Sequence, residues 1–434
     1  MQRIHIGVDT ITAFLATMVA GLSLALPIDF RWTSESTPLQ LHLLAYSQPR
    51  AVAAGAIVAV VVATVVAAAD SELVAWCTAL CGVAVMTLNH VFGHSAAPSA
   101  SLTTMNFVDA TAGGVLLGAV GAAVARHLIP TSGWILGTVA SICIAEALPV
   151  PHWSDTSAQH FQSNWTASDS PPTWLIGAAL VLVAVSTYLN RRRSPTVRMS
   201  VELPMMPIVA VLVLVSAWLV IAGWLTRSGD RIVVVVVAVA IAALITGVIA
   251  LLLPGRDGIF VLMCVGVAAT GNATVSADLP MWAVPLFVVG AALGLLAGIR
   301  WPTPALSIAS LLTLAVAAAL LGHVHGHSVI EAIADLVLAV VTGYCLGSAL
   351  PRRAAARVLG VVLLLAPSAV LALRTRMSYG DCTPEVGAGG AVLCEFDDRD
   401  TASPGWAAVA TIVCCAIFVH LLRHREPESP SETP

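Results

Sequence analysis

Charged residues are scarce in this chain, and lysine is absent. Charged residues make up 10% of the 434 residues and hydrophobic residues 58%, and all 20 basic residues are arginine. Because soluble domains carry about 25% charged residues, most of this chain cannot face water. The composition excludes a soluble globular protein and predicts an all-α, polytopic membrane protein. The absence of lysine, with abundant alanine and glycine, indicates a GC-rich bacterial genome.

Motifs for enzymatic chemistry are also missing. The sequence contains no nucleotide-binding glycine loop, no zinc-protease helix and no convincing Ser/His/Asp order. It also leaves no polar stretch long enough for a soluble domain. We therefore expect a protein that is not an enzyme and that has no cofactor and no nucleic-acid partner.

Long apolar runs take up the rest of the chain. A run of about 20 apolar residues crosses the ~30 Å hydrocarbon core of a bilayer as a helix. This length predicts fourteen transmembrane helices, near 8–28, 50–69, 72–92, 107–126, 132–149, 173–190, 207–225, 231–253, 258–274, 281–299, 304–322, 329–350, 355–373 and 405–422.

The arginines predict the orientation, because cytoplasmic loops retain positive charge. With the N-terminus inside, thirteen of the 20 basic residues fall on the inner side. We therefore expect an inner-membrane protein with both termini in the cytoplasm.

Polar segments divide the chain into predicted parts. These are a six-helix block (1–190), a cytoplasmic linker (191–206), a central helix hairpin (207–254), a second six-helix block (255–422) with an outer loop (374–404), and a disordered tail (423–434). The linker is arginine-rich and the tail is rich in Pro, Ser and Glu, which is typical of disorder.

The fourth predicted span of each block carries a similar pattern. Asp109 precedes Arg126 by 17 residues, and Asp335 precedes Arg352 by 17 residues. Each span also contains two glycines in GxxxG spacing, Gly114 with Gly118 and Gly343 with Gly347. Such spacing lets helix backbones approach closely. The match indicates an internal repeat of the kind found in transporters.

Several motifs give the chain a family resemblance. They are LALPID (24–29), LLAYS (43–47), the glycine-rich fourth span running into ARHLIPTSGW (125–134), and the long outer loop before the last helix. GIRWPTP (298–304) is a faint relic of the Gly-Asp-Arg signature of that family. With the six-two-six layout, the chain resembles the major facilitator superfamily, in particular its fourteen-helix drug:proton antiporter branch. The resemblance implies a secondary transporter in which the first and fourth helices of each block line a central cavity.

Carboxylates inside spans are the candidate functional residues. An ionised carboxylate in hydrocarbon costs at least ~2.5 kcal/mol, so a retained one usually faces a cavity or a partner. Asp109, with Asn106 one turn before it, and the pair Glu331 and Asp335 are predicted to couple transport to protons. The resemblance places the three acids on the cavity wall. Glu146 lies near a span end, where interfacial capping explains it more simply.

The segment GHVHGHSVIEAIADL (322–336) permits three interpretations. On a helix His327, Glu331 and Asp335 lie one turn apart on one face, which suits a proton relay. Alternatively, His323, His325 and His327 bind a divalent metal, with His90 and His94 as further ligands. The third interpretation is a solvated outer segment with no special role.

Two of the nine cysteines fall outside predicted spans. Cys382 and Cys394 both belong to the outer loop, where a disulfide can form and persist. We predict that they are joined. Two unrelated free thiols are the alternative.

These features favour an inner-membrane transporter of a small or amphipathic solute, a proton-coupled exporter working by alternating access. Its expected partners are membrane lipid, the solute and protons. The loop AAADSE (67–72) lacks the Gly-Asp-Arg signature of the family, which keeps a transport-inactive scaffold or sensor as an alternative. The same features also permit a divalent metal transporter or a lipid-linked glycosyl transferase.

Overall fold

The computed structural model describes residues 2–26, 38–95, 102–148, 170–191, 204–228, 231–275, 279, 281–321, 328–379, 381–384, 392–395 and 403–424. Helices account for nearly all of these residues. The first six are α1 Gln2–Ala25, α2 Pro38–Ala68, α3 Glu72–Ser95, α4 Leu102–Ala123, α5 Leu128–Ala147 and α6 Thr173–Arg191.

Two helices follow in the centre of the chain, α7 Met205–Ser228 and α8 Ile232–Leu252. The remainder are α9 Gly255–Thr274, a 3-10 turn Met281–Ala283, α10 Val284–Arg300, α11 Pro304–Leu321, α12 Ser328–Ser348, α13 Ala354–Leu365, α14 Ala369–Tyr379 and α15 Ser403–His424. A short hairpin of strands β1 Asp381–Pro384 and β2 Val392–Glu395 precedes α15.

Most of these helices are long and apolar enough to cross a bilayer. Within the described part of the chain, twelve spans meet that requirement, one of them formed by α13 and α14 together. The apolar segments Pro304–Leu320 of α11 and Ala332–Ser348 of α12 are shorter. The chain is therefore a multi-pass membrane protein, and each of the fourteen predicted runs overlaps a helix or the α13–α14 pair.

Helices α1–α6 pack in six principal pairs. These are α1 with α4, α5 and α6, α2 with α4, and α3 with α4 and α6. We call α1–α6 the first set and α9–α15 the second set. The second set repeats the packing pattern of the first, with α13 in the place of α5 and α15 in the place of α6. Its pairs are α9 with α12, α13 and α15, α10 with α12, and α11 with α12 and α15, and α9 also contacts α11. Helices α7 and α8 pack on each other and contact α2, α9, α13, α14 and α15.

Glycines bring α4 onto α2 and α12 onto α10. A Cβ on Gly114 would lie 2.2 Å from the carbonyl oxygen of Gly55, and one on Gly343 would lie 2.0 Å from that of Ala291. Real Cβ atoms do not approach backbone this closely, so the contact requires glycine. The GxxxG pattern in the sequence thus marks the corresponding helix pair in each set.

The predicted span 355–373 is interrupted. Helix α13 ends at Leu365 and α14 begins at Ala369. Pro367 lies in this break, where its missing N–H and its ring disrupt the helical hydrogen-bond ladder. The break divides the span into two shorter helices, α13 and α14.

Candidate functional site

A cavity of about 100 Å³ lies between α5 on one side and α9, α10, α12 and α13 on the other. Most of its lining is apolar, with Phe287 as the largest side chain. Its polar lining comes mainly from Glu146, Asn272, Asp335 and Thr342. The cavity therefore combines an apolar wall with a small number of polar groups, the usual composition of a small-molecule site.

Asp335 is the buried carboxylate of this cavity. It lies in the second turn of α12 and is only 6% exposed. Asn272 reaches the same cavity from α9, and its Nδ2 donates to Ser368 Oγ at 3.2 Å, which fixes the amide against the break between α13 and α14. The sequence prediction singled out Asp335, and the structure places it on the cavity wall.

Glu146 closes one side of the cavity through an ion pair. Arg374 Nη2 of α14 donates to Glu146 Oε2 of α5 at 2.8 Å, with the two side chains 14% and 27% exposed. The interfacial explanation of Glu146 misses this role, since the partner lies 228 residues away in sequence. The pair joins α5 of the first set to α14 of the second set.

Asp109 lies elsewhere, inside the first set of helices. His90 Nε2 of α3 lies 3.1 Å from Asp109 Oδ1 of α4, and both side chains are almost fully buried. Asp109 Oδ2 has no hydrogen-bond partner among the described residues. Asp109 does not line the cavity, in contrast to the position that the family resemblance implies.

Asn106 takes part in a neighbouring buried network. Its Nδ2 donates to Gln48 Oε1 of α2, and Gln48 Nε2 donates to Leu24 O of α1 at 3.3 Å. One turn of α4 thus directs Asn106 toward α2 and Asp109 toward α3. The Asn106 network ties α4 to α2 and α1, and the separate His90–Asp109 contact ties α4 to α3, through polar groups that are costly to leave unpaired in a membrane interior.

Arg357 links the two sets at the opposite end from Glu146 and Arg374. It lies in the first turn of α13, and its Nη1 donates to Ala125 O at 2.9 Å and to Thr131 Oγ1 at 3.1 Å. Its Nε also donates to Pro351 O at 2.6 Å. Because the arginine donates to a carbonyl of the α4–α5 turn and to a hydroxyl in the first turn of α5, it holds this region against α13.

Several predicted site residues lie outside the described part of the chain. His323, His325 and His327 fall in the gap between α11 and α12, and the side chains of His94 and Glu331 are also not described. No group of three His, Cys, Asp or Glu side chains suited to a metal occurs among the described residues. The metal-site and proton-relay interpretations of 322–336 both stay predictions.

The strands β1 and β2 pair Cys382 with Cys394 in their backbone register. Their side chains are not described, so the disulfide remains a prediction.

No protein-family model matches the chain, and no curated protein matches it either. Similar solved structures are transporters. The E. coli fucose:proton symporter FucP is 12% identical with a TM-score of 0.48, over 98% of this chain and 99% of that chain. The inward-open xylose transporter XylE of E. coli is 11% identical with a TM-score of 0.49, over 99% and 98%. The POT family transporter PepTSo is 14% identical with a TM-score of 0.47, over 97% and 99%.

Proposed function

We propose that this protein is a secondary transporter that exports a small or amphipathic solute across the bacterial inner membrane by alternating access. The cavity carries the proposal, because it places the buried carboxylate of Asp335 between two sets of helices that pack in the same pattern. Secondary transporters bind their solutes at such an interface between structural repeats.

Two six-helix blocks are the moving parts in this proposal. The first comprises α1–α6, and the second comprises α9–α12, the broken span α13–α14, and α15, which gives fourteen spans together with the hairpin α7–α8. The repeated helix pairs and the matching glycine contacts of α4 and α12 support this division. We place both termini in the cytoplasm because most of the arginines then fall on the inner side.

Contacts between the blocks at opposite ends of the cavity support alternating access. Glu146 and Arg374 join the blocks at the outer end. At the inner end, Arg357 of the second block bonds to the α4–α5 turn of the first block. Rocking of one block against the other would break one connection while keeping the other. The cavity would then open to one side of the membrane at a time.

We assign proton coupling to the carboxylates. Asp335 is the cavity group, and Glu331 lies one turn before it on α12. Asp109, paired with His90, and Asn106, bonded to Gln48, are the buried polar groups of the first block. A carboxylate retained in a membrane span costs insertion energy that a transport role explains. The coupling residues and the exporter direction follow from the sequence interpretation.

Transport in proteoliposomes tests the proposal. With an imposed pH gradient, a panel of sugars, peptides and amphipathic cations should contain a solute that moves only when the gradient is present. Asp335→Asn should abolish this movement, since the change keeps the side-chain shape but removes the titratable group. Asp70→Asn, the same change at an exposed residue of the α2–α3 turn, should leave transport unchanged.

Two negative results have different meanings. If no solute in the panel responds to the gradient, the transport proposal fails. If transport occurs and Asp335→Asn and Glu331→Gln both leave it intact, the transport function stands and the assignment of coupling to α12 fails.

A further inference from the structure

A second, smaller cavity lies at the break between α13 and α14. Its volume is about 20 Å³, and it is lined in part by Trp218 of α7, Thr246 of α8, Thr411 of α15, Ser368 just before α14, and Ala369 and Val370 at the start of α14. A cavity of this size holds one water molecule or one monatomic ion. None of its described lining residues carries a formal charge.

Trp218, one of the residues that line this cavity, carries an unmatched donor. The side chain is 4% exposed, and its indole Nε1 has no hydrogen-bond partner among the described residues. Leaving such a donor unpaired costs roughly 1–3 kcal/mol. An acceptor supplied by a bound species removes that cost.

The start of α14 adds further donors. Ser368 is the N-terminal cap, because its Oγ accepts from Leu371 N at 3.1 Å, and the first intrahelical bond runs from Ala372 N to Ser368 O at 3.0 Å. The backbone N–H groups of Ala369 and Val370 precede that bond, so the helix itself supplies them no acceptor. The positive end of the helix dipole also favours an electron-rich ligand here.

The hydroxyl groups complete the donor and acceptor balance. Ser368 Oγ already accepts from Asn272 Nδ2 and Leu371 N, which leaves its proton to donate. Thr246 and Thr411 donate to carbonyls of their own helices, at 2.7 and 2.8 Å, so their oxygens offer lone pairs to the cavity. Donors therefore outnumber acceptors among these groups. The donors are the indole N–H, the serine hydroxyl and the two backbone N–H groups.

We propose that this cavity is a binding site for one small hydrogen-bond acceptor, a halide ion or a water molecule, held at the break between α13 and α14. The bound species would accept from Trp218 and from the start of α14, and so stabilise the interrupted span. Because Trp218 belongs to α7 and Thr246 to α8, the central hairpin completes the site. This role for the hairpin does not depend on the transport function.

Crystals of the whole protein grown in chloride and in bromide test the proposal directly. An anomalous bromine peak within about 3.5 Å of Trp218 Nε1 would identify a halide site. Density at the same place without an anomalous signal would identify a water molecule. The proposal is overturned if the cavity holds no density and Nε1 instead bonds to a protein acceptor.

Thermal unfolding in detergent separates the two ligands independently. For a halide, replacing gluconate with chloride at equal ionic strength should raise the unfolding midpoint of the wild type by roughly 1–3 °C. Trp218→Phe should abolish that rise. Trp224→Phe, on the same helix but more exposed, should keep it. A chloride effect that survives Trp218→Phe contradicts halide binding at this cavity.

Discussion

Arg374 of α14 donates to Glu146 of α5 across 2.8 Å, at the edge of the cavity that contains Asp335. The two residues belong to different halves of the chain, so the ion pair can persist only while those halves are close together. Partial burial makes the pair stronger than a surface salt bridge, although the desolvation of both groups limits its net contribution.

Glu146→Gln should loosen the end of the cavity where Glu146 and Arg374 pair. Loss of about 1 kcal/mol of pairing energy would change the population of the open form by roughly fivefold. Cys143 lines the same cavity and reports this change. Peptide-resolved mass spectrometry of maleimide-treated vesicles should show faster modification of Cys143 in the variant than in the wild type.

The charge-swapped variant Glu146→Arg with Arg374→Glu provides the control for that experiment, because it restores an ion pair with reversed direction. Its Cys143 modification rate should return toward the wild-type rate. Equal rates in wild type, Glu146→Gln and the swapped variant would show that the pair does not hold the cavity closed.

The buried pair of His90 and Asp109 leads to a prediction about stability. His90→Ala would leave the Asp109 carboxylate buried without its imidazole partner, a change that typically costs 3–5 kcal/mol, so the unfolding midpoint should fall by several degrees. Adding Asp109→Asn to that variant should recover part of the loss, because an amide is cheaper to bury than a carboxylate. Circular dichroism during heating in detergent measures both effects.

His420→Ala is a matched control for the same experiment, since His420 is exposed near the end of α15. It should leave the unfolding midpoint nearly unchanged. If the double variant is no more stable than His90→Ala alone, the carboxylate is not the source of the cost.

The sequence predicted the positions of the helices better than it predicted the surroundings of the site residues. Run length and hydropathy predicted the positions of the helices, because a bilayer requires about 20 apolar residues per crossing. The break at Pro367 was missed, since hydropathy is continuous across it, although proline inside a span is a recognisable signal. Helix α2 begins at Pro38, earlier than the run predicted from residue 50, because its first turns are less apolar.

The partners of site residues were beyond sequence reasoning. Asp109 and Asp335 were identified because carboxylates are costly in a membrane span. Their surroundings depend on how each helix is rotated about its axis, which hydropathy leaves undetermined when most faces are apolar. Asp109 consequently faces His90 of α3 instead of the cavity, and Glu146 finds its partner 228 residues away.

Gly343→Ala should destabilise the contact between α10 and α12. The new Cβ would lie 2.0 Å from the carbonyl oxygen of Ala291, so the helices would have to separate, at a cost of roughly 1–3 kcal/mol. Gly114→Ala should have a similar effect on α2 and α4. Unfolding midpoints and monodisperse yields in detergent measure the loss.

Gly177→Ala separates the steric effect from helix propensity, because a Cβ at Gly177 meets no atom within 4 Å. Alanine favours a helix by about 1 kcal/mol over glycine, so this variant should be as stable as the wild type or more stable. Equal behaviour of all three variants would argue against close glycine packing.

The paired strands β1 and β2 lead to the last prediction. Their register places Cys382 opposite Cys394, and directly opposed residues of an antiparallel pair have Cα separations that a disulfide can span. We predict that the two cysteines are joined in the mature protein. In the loop-entropy account, closing a loop of this size stabilises it by roughly 3 kcal/mol.

The peptide containing both cysteines should be about 2 Da lighter before reduction than after it. Cys382→Ser should free Cys394 for modification by a membrane-impermeant maleimide added from outside, whereas the unreduced wild type should show no such modification. Labelling of Cys394 in the unreduced wild type would instead show two free thiols on adjacent strands.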